Sequence, residues 1–208
     1  MSIEDPWSDS TEPVEPEQNF PFTDVAEDAW YRESVEYVFE KSYMQGMGAD
    51  RFGPEESMTR AMLVTVLYRL AGEPEVGAEF FGLFEDVKEG DYFNRSVAWA
   101  RENGIVLGVS DTSFAPNRQV TRQDAVTIFH RYYENYLKQD GTSALDLSGW
   151  ADDHSIAPYA LEAMQWAVEH ELLTVSGTED SAMLEPTAAL SRAQCARIMH
   201  MLDRLLEE

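Results

Sequence analysis

A chain of 208 residues with 44% apolar content, five Trp, nine Tyr and ten Phe has the material for a substantial core. Its 39 acidic residues face only 15 basic ones, and a net charge of -24 repels nucleic acids and anionic lipid surfaces at long range. With no run of about 18 apolar residues either, neither nucleic-acid binding nor membrane insertion is expected.

Residues 1–19 hold six acids (Glu4, Asp5, Asp9, Glu12, Glu15 and Glu17), three prolines and no base, the composition of a solvated tail or linker. The segment has neither the basic start nor the apolar stretch of a signal peptide, so a surface location implies a leader outside this sequence.

From Phe20 onward the chain repeats, and the repeat decides the fold before any local propensity does. Phe22-Thr-Asp24-Val25 recurs as Phe84-Glu-Asp86-Val87 and more loosely as Trp150-Ala-Asp152-Asp153. The pair Trp30-Tyr31 returns as Tyr92-Phe93, with Pro158-Tyr159 as a weak third. Phe52-Gly-Pro54, Phe114-Ala-Pro116 and Leu184-Glu-Pro186 each precede an arginine, in Thr59-Arg60, Thr121-Arg122 and Ser191-Arg192. These landmarks divide the chain into repeats at 20–79, 80–141 and 142–208.

Each repeat reads as helix, loop, helix. The first helix carries Val35, Val38 and Phe39, or Val97 and Ala100 around Trp99, on one face. Tyr37, Trp99 and Trp166 share one position on it and are expected in the core. The second helix is clearer, with stripes at Met62, Leu63, Val66, Leu67 and Leu70, and at Ala125, Ile128, Phe129, Tyr132 and Tyr136. Thr59, Thr121 and Ser191 stand at its N-caps, and Asp124 and Gln194 at the capping-box position, which Met62 leaves empty in the first copy. Gly72 and Pro74 are expected to stop the first of these helices.

The arginine after each N-cap is the informative feature, because a cation in the first turn opposes the helix dipole at a cost of about 0.3–1 kcal/mol. A bound anion would offset this, held by free helix N–H groups and the guanidinium fork. An ion pair with Asp24, Asp86 or Asp152 from a neighbouring repeat would do so equally. Trp30 and Tyr92 begin their helices beside the loops, where a ring can stack on a sugar face or simply pack. Gly46, Gly48 and Gly108 are turn residues that also let a ligand approach the backbone.

No catalytic centre is expected. Cys195 sits among helical apolar residues, the histidines at 130, 154, 170 and 200 have no metal-ligand spacing, and no phosphate-loop or nucleophile motif occurs.

The landmarks together resemble the S-layer homology (SLH) repeat, with F-x-D-V, an aromatic pair, an F-x-P loop and a T-R-A-E helix start, over everything except the tail. The resemblance is strong for the first two copies and degenerate for the third. It implies an all-α fold in which three helix-loop-helix repeats form a pseudo-threefold spindle around a central three-helix bundle. It further implies a non-catalytic anchor without cofactor or metal, part of a larger surface protein outside a bacterial cell. Grooves between its repeats would bind an acidic, pyruvylated secondary cell wall polysaccharide. The residues matching the family's glycan site are Arg60, Arg122, Arg192, Asp24, Asp86, Asp152, Trp30, Tyr92, Gly46, Gly48 and Gly108. Glutamate of T-R-A-E is replaced by Met62, Asp124 and Gln194. Arg60 is expected to work with Gly46 and Gly48, and Arg122 with Gly108. Arg192 has Glu171 and Val175 where glycines would stand, and so the weakest groove. The alternative is a helical protein-interaction module that presents its acidic surface to a basic partner.

Overall fold

The computed structural model describes residues 20–178 and 181–207; the acidic segment 1–19 lies outside the described residues. Six α-helices form there: α1 Arg32–Glu40, α2 Arg60–Leu70, α3 Asn94–Glu102, α4 Arg122–Arg131, α5 Leu161–Glu169 and α6 Arg192–Glu207. Among the described residues there are isolated β-bridges but no strands.

The second helix of each repeat starts where its cap stands. The hydroxyls of Thr59, Thr121 and Ser191 accept from the N–H groups of Met62, Asp124 and Gln194, each at 3.2 Å. Only Gln194 completes a capping box, accepting from Ser191 N–H at 3.0 Å. Asp124 does not, contrary to expectation, because its carboxylate is taken by Arg118 and by the Tyr159 hydroxyl. Helix α2 ends before Gly72, whose φ of 78° reverses the chain. The stripe expected through Tyr136 continues past α4 as a π turn over Tyr132–Tyr136, which stacks the two tyrosine rings at 5.4 Å.

The repeats interlock in a cycle. Helix α2 packs on α3, α4 on α5, and α6 returns to α1, so each second helix lies against the first helix of the following repeat. The most extensive helix contacts are these pairs rather than those of a bundle of second helices. One aromatic contact recurs at every pairing: Tyr68 on Trp99 at 5.4 Å, His130 on Trp166 at 5.2 Å and His200 stacked on Tyr37 at 4.2 Å. Trp99 and Trp166 are buried, in line with their core assignment, whereas Tyr37 is half-buried and anchored through its hydroxyl to Asp203.

The second-helix starts meet in a closed ring of backbone hydrogen bonds. Met58 N–H donates to Leu190 C=O, Leu190 N–H to Val120 C=O, and Val120 N–H to Met58 C=O, at 2.8, 2.9 and 3.0 Å. All three side chains are fully buried. Burial away from water makes each of these backbone groups dependent on its partner, so displacing one segment strands groups on the other two. A single apolar cluster runs through all three repeats, from Phe22 and Phe52 through Phe84 and Phe114 to Leu184 and Leu190.

Candidate functional site

The three helix-start arginines all reach forward into the F-x-P turn of the next repeat. Nε of Arg60 donates to Phe114 C=O at 2.9 Å, that of Arg122 to Leu184 C=O at 2.8 Å, and that of Arg192 to Phe52 C=O at 2.8 Å. The backbone follows the same cycle. Arg60 and Ala61 donate their N–H groups to Arg118 and Pro116, Arg122 and Gln123 to Ala188 and Pro186, and Arg192 and Ala193 to Glu56 and Pro54. With the next N–H taken by the N-cap hydroxyl, the helix starts have no free donors for a ligand. An anion held by these N–H groups, one of the sequence expectations, is thereby ruled out at all three positions.

The aspartates of the F-x-D-V segments complete the same turns. Asp24 accepts from Phe52 and Gly53 N–H, Asp86 from Phe114 and Ala115 N–H, and Asp152 from Leu184 and Glu185 N–H, at 2.7–2.9 Å. For Asp86, burial works against the charge, yet the bonds from Phe114, Ser113 and Ala115 outweigh it and hold the carboxyl below its ordinary range. Instead of pairing directly with the arginines, Asp24, Asp86 and Asp152 clamp the turn of their own repeat, on which the arginine of the preceding one docks.

This forward reach corrects the expected pairing of arginines with glycine loops. Arg60 shares its groove with the Gly108 loop, and Arg192 with the Gly46 loop. Arg122 meets the third repeat's loop, where Nη1 donates to Thr174 Oγ1 at 3.3 Å and Nη2 to Thr174 C=O at 2.5 Å. At 1% exposure Arg122 is a structural strut. Arg60 and Arg192 are buried too, at 6% exposure each, but they border the two grooves.

Glycine is needed at positions 46 and 108 because each loop folds back onto a core phenylalanine. An added Cβ would lie 2.4 Å from the Phe22 ring at Gly46 and 2.6 Å from the Phe84 ring at Gly108. Gly48 faces open space. In the third repeat Gly177 takes nearly the backbone angle of Gly108, φ 89° against 87°, two positions beyond the Val175 that stands in its place by sequence.

The Arg60 groove has a volume of about 330 Å³. Arg60, Arg118 and Arg131 line it, together with Asp124, Thr127, the Val106–Val109 loop and Tyr159. Asp124 binds Arg118 at 3.2 Å and the Tyr159 hydroxyl at 2.5 Å, tying the rim together. Three guanidinium groups against one carboxylate make this a positive pocket on a strongly negative chain. Burial pushes down the pKa of Arg60 and of Arg131, and Arg118 adds to the effect on Arg60. Both guanidinium groups nonetheless stay charged at neutral pH.

The Arg192 groove repeats this plan at about 170 Å³, with Arg192, Arg69, Met62, Thr65, Gly46 and Tyr92 among its walls. Nη2 of Arg192 donates to Gln45 C=O at 2.6 Å, and its guanidinium lies over the Phe52 ring at 4.5 Å. Tyr159 and Tyr92 occupy the same place in the two grooves, at the start of a first helix, and Trp30 holds that place in the first repeat. All three rings are exposed, at 59%, 68% and 54%. The sequence reading missed Arg118, Arg131, Arg69 and Tyr159. Arg69 and Arg131 share one position on the second helix. Tyr159 stands two residues before α5 as Trp30 and Tyr92 stand before α1 and α3, although the motif pairing aligned Pro158 with them. Arg118, aligned with Glu56 and Ala188, carries no such signal.

The family model of the S-layer homology domain matches residues 21–61 and 83–126. The chain belongs to the S-layer homology family. An endoglucanase of Bacillus sp. (strain KSM-635) is 30% identical over 88% of the chain, and the surface-layer 125 kDa protein of Lysinibacillus sphaericus 32% over 79%. A cellulosome-anchoring protein of Acetivibrio thermocellus is 27% identical over 53%. The SLH chain spans only 19%, 13% and 26% of these relatives' lengths, so what they share is a module within larger proteins. An SLH module is an anchoring domain, which places the chain at the cell surface or cell wall, and the likeness to an endoglucanase extends to that module alone.

Proposed function

We propose that the chain fastens a larger surface protein to the wall by holding acidic, pyruvylated residues of a secondary cell wall polysaccharide in the grooves between its repeats. The observation that carries this reading is the convergence of Arg60, Arg118 and Arg131 in one groove of a chain whose net charge is -24. A guanidinium fork suits a carboxylate, and the exposed Tyr159 ring beside it offers an apolar face to a sugar. The Arg192 groove provides the same chemistry with Arg69 and Tyr92. Local cations prevail over the acidic surroundings because exposed charges are screened beyond about 8 Å at physiological salt. Arg60 and Arg192 act as both floor and strut, whereas Arg118, Arg131 and Arg69 are the ligand-facing cations. Asp24, Asp86 and Asp152 support the walls.

The test is sedimentation of the full chain with purified cell wall, before and after chemical removal of the polymer's acidic groups. Binding that disappears with the acidic groups is the expected result. Binding that survives their removal would sink the reading.

A further inference from the structure

One cavity is larger than either arginine groove. It measures about 600 Å³ and lies where the connector between the first two repeats passes the start of α3, lined by Phe81, Gly82, Val87, Glu89, Asp91, Tyr92, Asn94 and Arg95. This volume is within the ~300–1,000 Å³ of small-molecule sites. Tyr92 borders both this cavity and the Arg192 groove, so one exposed ring joins the two spaces.

The linings differ in kind. The Arg192 groove has two arginines and no carboxylate. The connector cavity has two carboxylates, Glu89 and Asp91, an amide, Asn94, and a single cation, Arg95, which is turned toward Glu75 at 3.2 Å. On the apolar side stand Val87 and Phe81, the latter 39% exposed. A second acidic sugar would be repelled by Glu89 and Asp91, while a neutral sugar suits both sides. Asp91 Oδ2 and Asn94 Nδ2 already hold the Lys88 backbone, so the sugar's hydroxyls donate to Glu89, Asp91 Oδ1 and Asn94 Oδ1, and its ring face packs on Phe81.

We infer that the connector cavity is an extension subsite for the uncharged sugar that follows the acidic residue, with Tyr92 as the platform between the two. The inference rests on the proposed reading of the Arg192 groove. It gives that groove a polarity, acidic end over Arg192 and Arg69 and neutral chain toward Phe81. It also sets this groove apart from the Arg60 groove, whose corresponding ring, Tyr159, is tied to Asp124.

The experiment uses fragments of the pyruvylated wall polymer with which the full chain sediments, cut to one, two or three sugars from the pyruvylated end. Binding is measured by calorimetry on a chain carrying Arg131→Ala, which silences the Arg60 groove. The expected result is an affinity about tenfold higher for two sugars than for one, equivalent to about 1.4 kcal/mol. Phe81→Ala and the cavity-filling Glu89→Trp should each abolish that gain while leaving affinity for the single sugar unchanged. Equal affinity for one and two sugars, or a gain that survives both substitutions, would overturn the subsite and leave the groove reading intact. Failure of the single sugar to bind would overturn both.

Discussion

Asp24 and Arg192, from opposite ends of the chain, grip the two sides of one peptide unit. The Phe52 carbonyl accepts from Arg192 Nε at 2.8 Å, and the N–H of Gly53 in the same unit donates to Asp24 Oδ2 at 2.8 Å. Asp86 and Arg60 do the same to the Phe114–Ala115 unit, and Asp152 and Arg122 to Leu184–Glu185. An amide polarised from both ends forms stronger hydrogen bonds, so each turn joins two repeats by charge without any direct ion pair. Asp86→Ala should therefore destabilise the whole chain by about 3 kcal/mol, read from the midpoint of urea unfolding. Asp86 has a folded pKa below its unfolded value, so its contribution is present above about pH 4 and is lost as pH falls through the folded pKa. Asp86→Asn should flatten that acid limb; an unchanged pH profile would mean that the clamp holds without charge.

His200 should set a second, higher pH boundary. Buried against Tyr37 and bonded to Ser34 Oγ at 3.2 Å, it has a pKa pushed down by burial, with Arg204 and Arg197 also lowering it against the raising influence of Glu33 and Asp203. The unfolded chain thus binds the proton more readily than the folded one. Stability is full above the unfolded pKa of about 6.5 and declines as pH falls below it. Its counterpart in the first repeat is Tyr68, which has no such transition near neutrality. Thermal melts of wild type and His200→Phe between pH 7.5 and 5 should converge toward low pH, and parallel curves would exclude the histidine.

The all-α fold was legible because the repeats print the same apolar periodicity and the same N-caps in each copy. Thr59, Thr121 and Ser191 announce their helices locally, and Trp99 and Trp166 declare the core by position. What could not be read was which repeat each arginine serves. Arg60 stands only a few residues after Phe52-Gly-Pro54, and proximity along the chain favours that loop. The structure instead hands every arginine forward, and Arg192 closes the cycle onto Phe52 through a contact that no local pattern encodes. The role of the aspartates was hidden for a related reason. A carboxylate near an arginine invites an ion pair, and only the fold shows a peptide between them.

The middle residue of each F-x-P turn is left-handed, with φ of 73° at Gly53, 58° at Ala115 and 50° at Glu185. Only the first copy uses glycine there. A side chain in this region costs roughly 1–2 kcal/mol, partly offset by the roughly 0.5–1 kcal/mol that glycine loses in backbone freedom on folding. Ala115→Gly should then stabilise the chain by up to about 1 kcal/mol, seen as a higher urea midpoint at unchanged slope. A lower midpoint would show that the Ala115 methyl makes packing contacts worth more than the strain.

The sharpest contrast lies between two arginines of the second repeat. Arg122 is enclosed, with all three of its guanidinium nitrogens bonded to Leu184 and Thr174. Its replacement by alanine leaves the two carbonyls without their donor and a void in the core, at a cost of about 3 kcal/mol of folding stability. Arg131 ends α4 half-buried at the side of the Arg60 groove, where its charge also complements the carbonyl end of the helix dipole. Arg131→Ala should lower stability by less than about 1 kcal/mol and weaken wall binding by about 1.5–3 kcal/mol, the range for a hydrogen bond to a charged group. Urea unfolding and equilibrium binding to purified wall polymer, run on the same preparations, separate the two effects. If Arg122→Ala keeps full stability and loses binding while Arg131→Ala does the reverse, the assignment of strut and ligand-facing cation is inverted. If Arg131→Ala changes neither, the Arg60 groove is not where the polymer is held.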